Sequence, residues 1–160
     1  MKAKEIKIEP ALLHLDQVIK HFDNRLDVIH TPSDKSGKID YDNLKKILSE
    51  LKFTPNIYAF YIKDKKSKDW HLKYIGQRNS KEFNNRMREH FSKHHEKTGS
   101  KLKKINTAIK EGKDIGVKFL GVQPEGLRKY YEEELINHFC EELEWNDQKG
   151  KGKSKQRKKE

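Results

Sequence analysis

Residues 56–77 read NIYAFYIKDKKSKDWHLKYIGQ, and this stretch decides the fold. Its flanks, residues 56–63 and 71–77, are rich in aromatic and β-branched side chains, which suit a pleated, half-buried surface. Residues 64–69 between them are wholly polar, so the pair reads as an antiparallel hairpin. Downstream the period changes: Phe83, Met87, His90, Phe91 and His94 recur at helical spacing, with Asn79 or Ser80 as N-cap and Glu82 available for a capping box. Ser100 opens a second helical run through Leu102, Ile105, Ala108 and Ile109, which Gly112 ends. Residues 115–122, IGVKFLGV, read as a third strand, and residues 125–144 as a long helix. That helix carries Leu127, Tyr131, Leu135, Ile136, Phe139 and Leu143 on one face.

Upstream, Leu12, Leu15, Ile19, Phe22, Leu26 and Ile29 fall at threes and fours, which predicts one helix over 11–30 that stops before Thr31-Pro32. A shorter helix over 42–52 turns Leu44, Ile47, Leu48 and Leu51 inward, and Pro55 closes it. The expected fold is α+β: a small, mainly antiparallel three-stranded sheet flanked by helices, with an N-terminal helical extension. The expected domain division is 1–54 for the helical extension, 55–147 for the catalytic unit and 148–160 for a basic tail. The last twelve residues, KGKGKSKQRKKE, hold seven basic side chains and no apolar one, so disorder is expected there.

The chain has 160 residues, 32% hydrophobic and 38% charged, so its core is small and its surface heavily ionised. Its formal charge of +11 is unevenly placed: +1 over 1–54, +10 over 63–118, −5 over 119–146 and +5 over 147–160. A basic middle concentrates polyanions and speeds their capture. A single cysteine, Cys140, rules out an internal disulfide and a cysteine-based zinc site. With no long apolar run and no signal-peptide core, a cytoplasmic location away from membranes is expected.

Asn56-Ile57-Tyr58 followed by Tyr74-Ile75-Gly76 resembles the pair of motifs that names the GIY-YIG nucleases. The helix carrying Arg86 and His90 resembles that family's first helix, Glu132 its metal-binding glutamate, and Trp145-Asn146 its closing asparagine. The resemblance spans about residues 55–147 and departs from the pattern at Asn56, where glycine is usual. It implies a catalytic set of Tyr58, Tyr74, Arg86, His90, Glu132 and Asn146, with Mg²⁺ or Mn²⁺ held by Glu132.

The chemistry of these residue types agrees with that implication. Phosphodiester hydrolysis needs a cation for the charge developing on phosphorus, an activated water and help for the leaving oxygen. Mg²⁺ prefers oxygen ligands and keeps most of its waters, so one carboxylate can anchor it. Arg86 offers a planar fork for two phosphate oxygens. The resemblance implies that one of the two tyrosines positions or deprotonates the attacking water; Arg86 and the metal would favour its phenolate, while His90 accepts its proton or orients it. Asn146 would brace the glutamate or the phosphate. Lys73, Arg78, Arg88, Lys101, Lys103 and Lys104 supply the expected nucleic-acid contacts.

Each residue alone has a plainer reading: strand tyrosines as packing, Arg86 and Glu132 as solvated helix residues, Asn146 as a helix stop. Two further signals fail. Residues 34–40 resemble half an EF-hand loop, but aligning Gly37 puts Pro32 and Asn43 where key ligands belong. His90, His94 and His95 lack the glutamate of a zinc-protease helix, and Cys140 reads as core.

The partner expected is DNA, RNA being the alternative substrate, with a restriction or phage-defence context fitting the short appendages. A non-catalytic nucleic-acid-binding module is the competing reading. The apolar stripe of 1–54 must be buried, over the sheet or in a homodimer.

Overall fold

The computed structural model describes residues 11–92 and 100–146. Residues 1–10, His94, His95 and the basic tail lie outside that range. In chain order the elements are α1 (Ala11–Asp23), β1 (Ile29–Thr31), α2 (Tyr41–Glu50), β2 (Ile57–Asp64), β3 (His71–Gln77), α3 (Phe83–Phe91), α4 (Leu102–Lys110), β4 (Lys113–Leu120) and α5 (Arg128–His138). A single 3-10 turn, Glu125–Leu127, leads into α5. The α+β class holds, and the predicted hairpin is β2 against β3.

The sheet has four strands rather than three, all antiparallel, in the order β1-β4-β2-β3. The extra strand comes from Ile29–Thr31, a stretch that the helical spacing of Leu26 and Ile29 assigns to the first helix. That helix stops at Asp23 because Lys118 of β4 reaches its end. The Lys118 ammonium, buried to 2% exposure, donates to the carbonyls of His21 and Asn24 (2.7 Å to the latter) and to the Asp27 carboxylate. These are the orphan acceptors of a helix end, which otherwise need water or a cap. The Asn24 side chain then accepts from the Leu26 N–H at 3.1 Å and turns the chain, leaving Leu26 97% exposed. The long last helix is likewise shorter than predicted: α5 ends at His138 and a turn succeeds it.

Alternation along the strands sorts the side chains into two cores. Tyr58, Phe60, Tyr74, Ile115, Val117 and Phe119 face α2, α3 and α4 and pack on Leu44, Phe83, Met87, Phe91 and Ile105. Ile57, Ala59, Tyr61, Leu72 and Ile75 face α1 and α5 and pack on Phe22, Tyr131, Leu135 and Phe139. Leu15, Ile19 and Phe22 of the α1 stripe pack against the sheet within one chain, and α2 turns Leu44, Ile47, Leu48 and Leu51 inward as predicted.

The β2–β3 ladder contains one irregularity. Phe60 pairs with Tyr74 but Tyr61 pairs with Leu72, so Lys73 is the extra residue of a β-bulge. A bulge re-aims side chains. Here it puts Lys73 and Tyr74 on the same side, towards α4.

Two amide side chains finish the sheet. Asn146 accepts from the Ile75 N–H at 3.0 Å and donates to the Ile75 carbonyl at 2.8 Å, while the Trp145 N–H donates to the Lys73 carbonyl at 3.0 Å. Asn56 makes the same two-way pairing with the main chain of Val122, both bonds at 2.9 Å.

Candidate active site

Helix α3 crosses the sheet face that carries Tyr58 and Tyr74, and its spacing sets the geometry. Phe83, Met87, His90 and Phe91 are buried against the strands, which brings Arg86 to the rim of the same face. His90 Nε2 lies 2.9 Å from Tyr58 Oη, and His90 Nδ1 accepts from the Lys101 main-chain N–H at 3.0 Å. That second bond decides the tautomer: with Nδ1 an acceptor, the neutral ring carries its proton on Nε2 and donates it to Tyr58. Burial, then the charges of Arg86 and Lys101, hold His90 well below its ordinary value of 6.5, so the ring is neutral at pH 7.

Tyr58 is fully enclosed. Its ring centroid lies 5.6 Å from that of Phe83 and 5.9 Å from that of Tyr74, and Gly76 opposite leaves the space it fills. Burial raises its phenol well above 10, as does hydrogen bonding to Tyr74, while Arg86 pulls the other way. Burial also raises Tyr74, but its hydrogen bond with Tyr58 and the nearby Arg86 counter that rise. Two bonds run through the cluster in one direction, Lys101 N–H to His90 and His90 Nε2–H to Tyr58. Tyr74, at 9% exposure against 1%, is the more open of the two phenols.

Two expectations change here. Both phenols are raised in net, so Arg86 alone does not favour a phenolate, because burial outweighs it. His90 orients Tyr58 as a donor rather than taking its proton.

Arg86 is 11% exposed at its side chain and its Nη1 donates to Glu89 at 2.7 Å; Glu89, three residues on, is a partner the i, i+3 spacing could have supplied. Glu132 of α5 lies near enough to Tyr74 to raise its phenol. Asn146 does not face the glutamate: its amide is spent on Ile75 at the free edge of β3. Asn56 is occupied in the same way with Val122, so no glycine is required there by the backbone.

The basic residues divide. Lys101, expected at the surface, is only 5% exposed, with its ammonium 5.1 Å from the Tyr74 ring centroid. Its place depends on how α4 packs beside α3, which local sequence does not display. Lys73, Lys103 and Lys104 line an open cleft of about 620 Å³ together with Lys113, Glu111 and Glu144. Lys73 pairs with Glu144 at 3.1 Å. Arg78 and Arg88 do not line the cleft: Arg78, in the loop after β3, pairs with Glu82 at 3.2 Å, and Arg88 is exposed on α3.

Among the described residues no group of three His, Cys, Asp or Glu side chains comes together. Of the predicted set, Glu132 is the carboxylate that could hold a divalent ion, with water and phosphate oxygens filling the rest of its shell. That donor set suits Mg²⁺ or Mn²⁺ and does not suit zinc. No described helix is long and apolar enough to cross a membrane.

Comparison with models of protein families, with curated proteins and with solved structures finds no match to this chain.

Proposed function

We propose that this chain is a metal-dependent endonuclease of the GIY-YIG type that hydrolyses phosphodiester bonds in DNA. The observation that carries the reading is the convergence of Tyr58, Tyr74, Arg86, His90 and Glu132, from a hairpin, α3 and α5, around one small area of the sheet. Packing alone accounts for the tyrosines. It does not account for an arginine and a carboxylate brought to the same phenol, which is what phosphate chemistry needs.

In this reading Tyr74 touches the attacking water, because it is the more open phenol. Tyr58 and His90 are positioning residues that hold its oxygen. Arg86 binds the scissile phosphate, with Glu89 fixing its guanidinium. Glu132 holds the divalent cation, which when bound supplies Lewis-acid stabilisation of the developing phosphorane charge and favours the Tyr74 phenolate. Asn146 contributes through the edge of β3, not through the substrate.

The test is cleavage of supercoiled plasmid by wild type and by Glu132→Ala, with Mg²⁺, with Mn²⁺ or with chelator. Metal-dependent cutting that the variant loses while still binding DNA supports hydrolysis. A wild-type protein that binds but leaves DNA and matched RNA intact points to a binding module, and preference for RNA points to an RNA-processing nuclease.

A further inference from the structure

The cleft beside the cluster has an architecture of its own. Its floor is apolar, made by Ile62 and Ala108 and walled by Trp145, and its rim carries the ammonium groups of Lys103 and Lys104. At about 620 Å³ it falls within the range of small-ligand pockets, about 300 to 1,000 Å³, enough for a nucleotide or two. None of Tyr58, Tyr74, Arg86, His90 and Glu132 lines it, but chain neighbours link it to their cluster. Lys73 of the bulge lines the cleft while its neighbour Tyr74 faces the cluster, and Lys101 in the cluster precedes the rim lysines by a single turn.

From this arrangement we propose that the cleft binds an unpaired polynucleotide strand immediately next to the bond to be cut, with a base against Ile62 and Trp145 and its phosphates on Lys103 and Lys104. An aromatic and apolar floor below a cationic rim is the arrangement by which single strands are held without base-specific readout. A duplex keeps its bases stacked inside and offers only phosphates outward, so it leaves the floor unused. Glu111 and Glu144 at the cleft favour this too. They make the site less uniformly basic than a patch built for phosphates alone, and Glu144 already holds Lys73. The substrate class is therefore a strand with an unpaired stretch at or beside the cut: a single strand, a flap, a gap or a frayed end. This rests on the nuclease reading for the word substrate; binding in the cleft is measured without cleavage.

The protein contains two tryptophans, Trp70 and Trp145, so a Trp70→Phe chain reports Trp145 alone. In chelator, that chain is titrated with a short oligothymidylate, the matching oligouridylate, a blunt duplex of equal length and thymidine monophosphate. Anisotropy of labelled strands on the otherwise unaltered chain gives the same affinities independently. The expected result is quenching of Trp145 by the single strands only. Lys103→Glu with Lys104→Glu, both at exposed positions, should weaken single-strand binding by about tenfold and reduce the salt slope by about 1.4. The two oligonucleotides distinguish a DNA from an RNA strand as the source of the ligand.

Equal binding of duplex and single strand, with the double variant weakening both alike, would overturn the proposal. Quenching by the monophosphate at the affinity of the strand would also do so, by making the cleft a free-nucleotide pocket. A wild type that binds strands in the cleft yet cuts nothing with Mg²⁺ leaves the cleft standing and removes the hydrolase. A wild type that cuts intact plasmid while no strand quenches Trp145 does the reverse.

Discussion

A β-carbon on Gly76 would stand 2.5 Å from the Tyr58 hydroxyl oxygen and 2.6 Å from the ring carbon that bears it. Real contacts of that kind do not occur, and Tyr58 cannot yield, since Phe60, Phe83 and His90 enclose its ring. Gly76 is required for space, not for backbone conformation. Gly76→Ala should cost about 1–3 kcal/mol of stability as an overpacked core. By displacing Tyr58 from His90 it should lower cleavage by about a hundredfold in the chains that still fold. Urea unfolding and plasmid cutting on the same preparation measure the two effects, and full activity in Gly76→Ala would separate Tyr58 from the chemistry.

Asn146 gives a prediction of the opposite kind. Asn146→Ala strips partners from both main-chain groups of Ile75, a residue with no exposed surface, and should destabilise the fold by about 1–3 kcal/mol. Hydrogen exchange at the Ile75 amide should quicken in the variant, while strand affinity in chelator stays at the wild-type level.

The neutral state of His90 makes stability depend on pH. Its native value lies well below 6.5 while the unfolded value stays near 6.5, so at pH between these the unfolded chain binds a proton the native state refuses. Stability is complete above about pH 6.5 and falls as pH decreases through the window, by up to about 1.4 kcal/mol per pH unit for one such group. His21, lowered by burial and by Lys118, adds to the slope in the same direction. Urea midpoints measured from about pH 7.5 down to about pH 5.5 should decline in wild type and decline less in His90→Gln. Equal slopes in the two proteins would place the titration elsewhere.

Lys118 is expected to be the most sensitive position away from the site. Lys118→Met leaves two helix-end carbonyls and the Asp27 carboxylate without their donor, at a cost of about 3 kcal/mol or more. Asp27→Asn, whose carboxylate is 57% exposed, should cost far less. Thermal melts of the two variants give the comparison.

Where the sequence was legible, a strong local signal agreed with the packing. The β2–β3 hairpin and α3 were readable because alternation and helical spacing are properties of neighbouring residues. Tyr58, Tyr74, Arg86 and His90 came with them. The strand β1 was not readable, since Leu26 and Ile29 continue a helical pattern that Lys118, remote in sequence, interrupts together with the turn at Asn24. The burial of Lys101 depends on α4 lying beside α3, and the duty of Asn146 depends on the edge of β3 passing beside it. Such facts reside between elements, and no window of sequence contains them.

The strands at the two margins of the sheet are completed by pieces made at very different times. Residues 29–31 are synthesised early yet pair with β4, and the free rim of β3 is sealed only by Trp145 and Asn146. On a ribosome, therefore, the hairpin emerges with both margins bare, β2 waiting for β4 at residues 113–120 and β3 for Trp145 and Asn146. Bare strand margins invite pairing with other chains, and such long-range closure is slow. The nascent protein passes through an interval in which its β2–β3 hairpin is built but unguarded. That interval ends when Asn146 docks on Ile75.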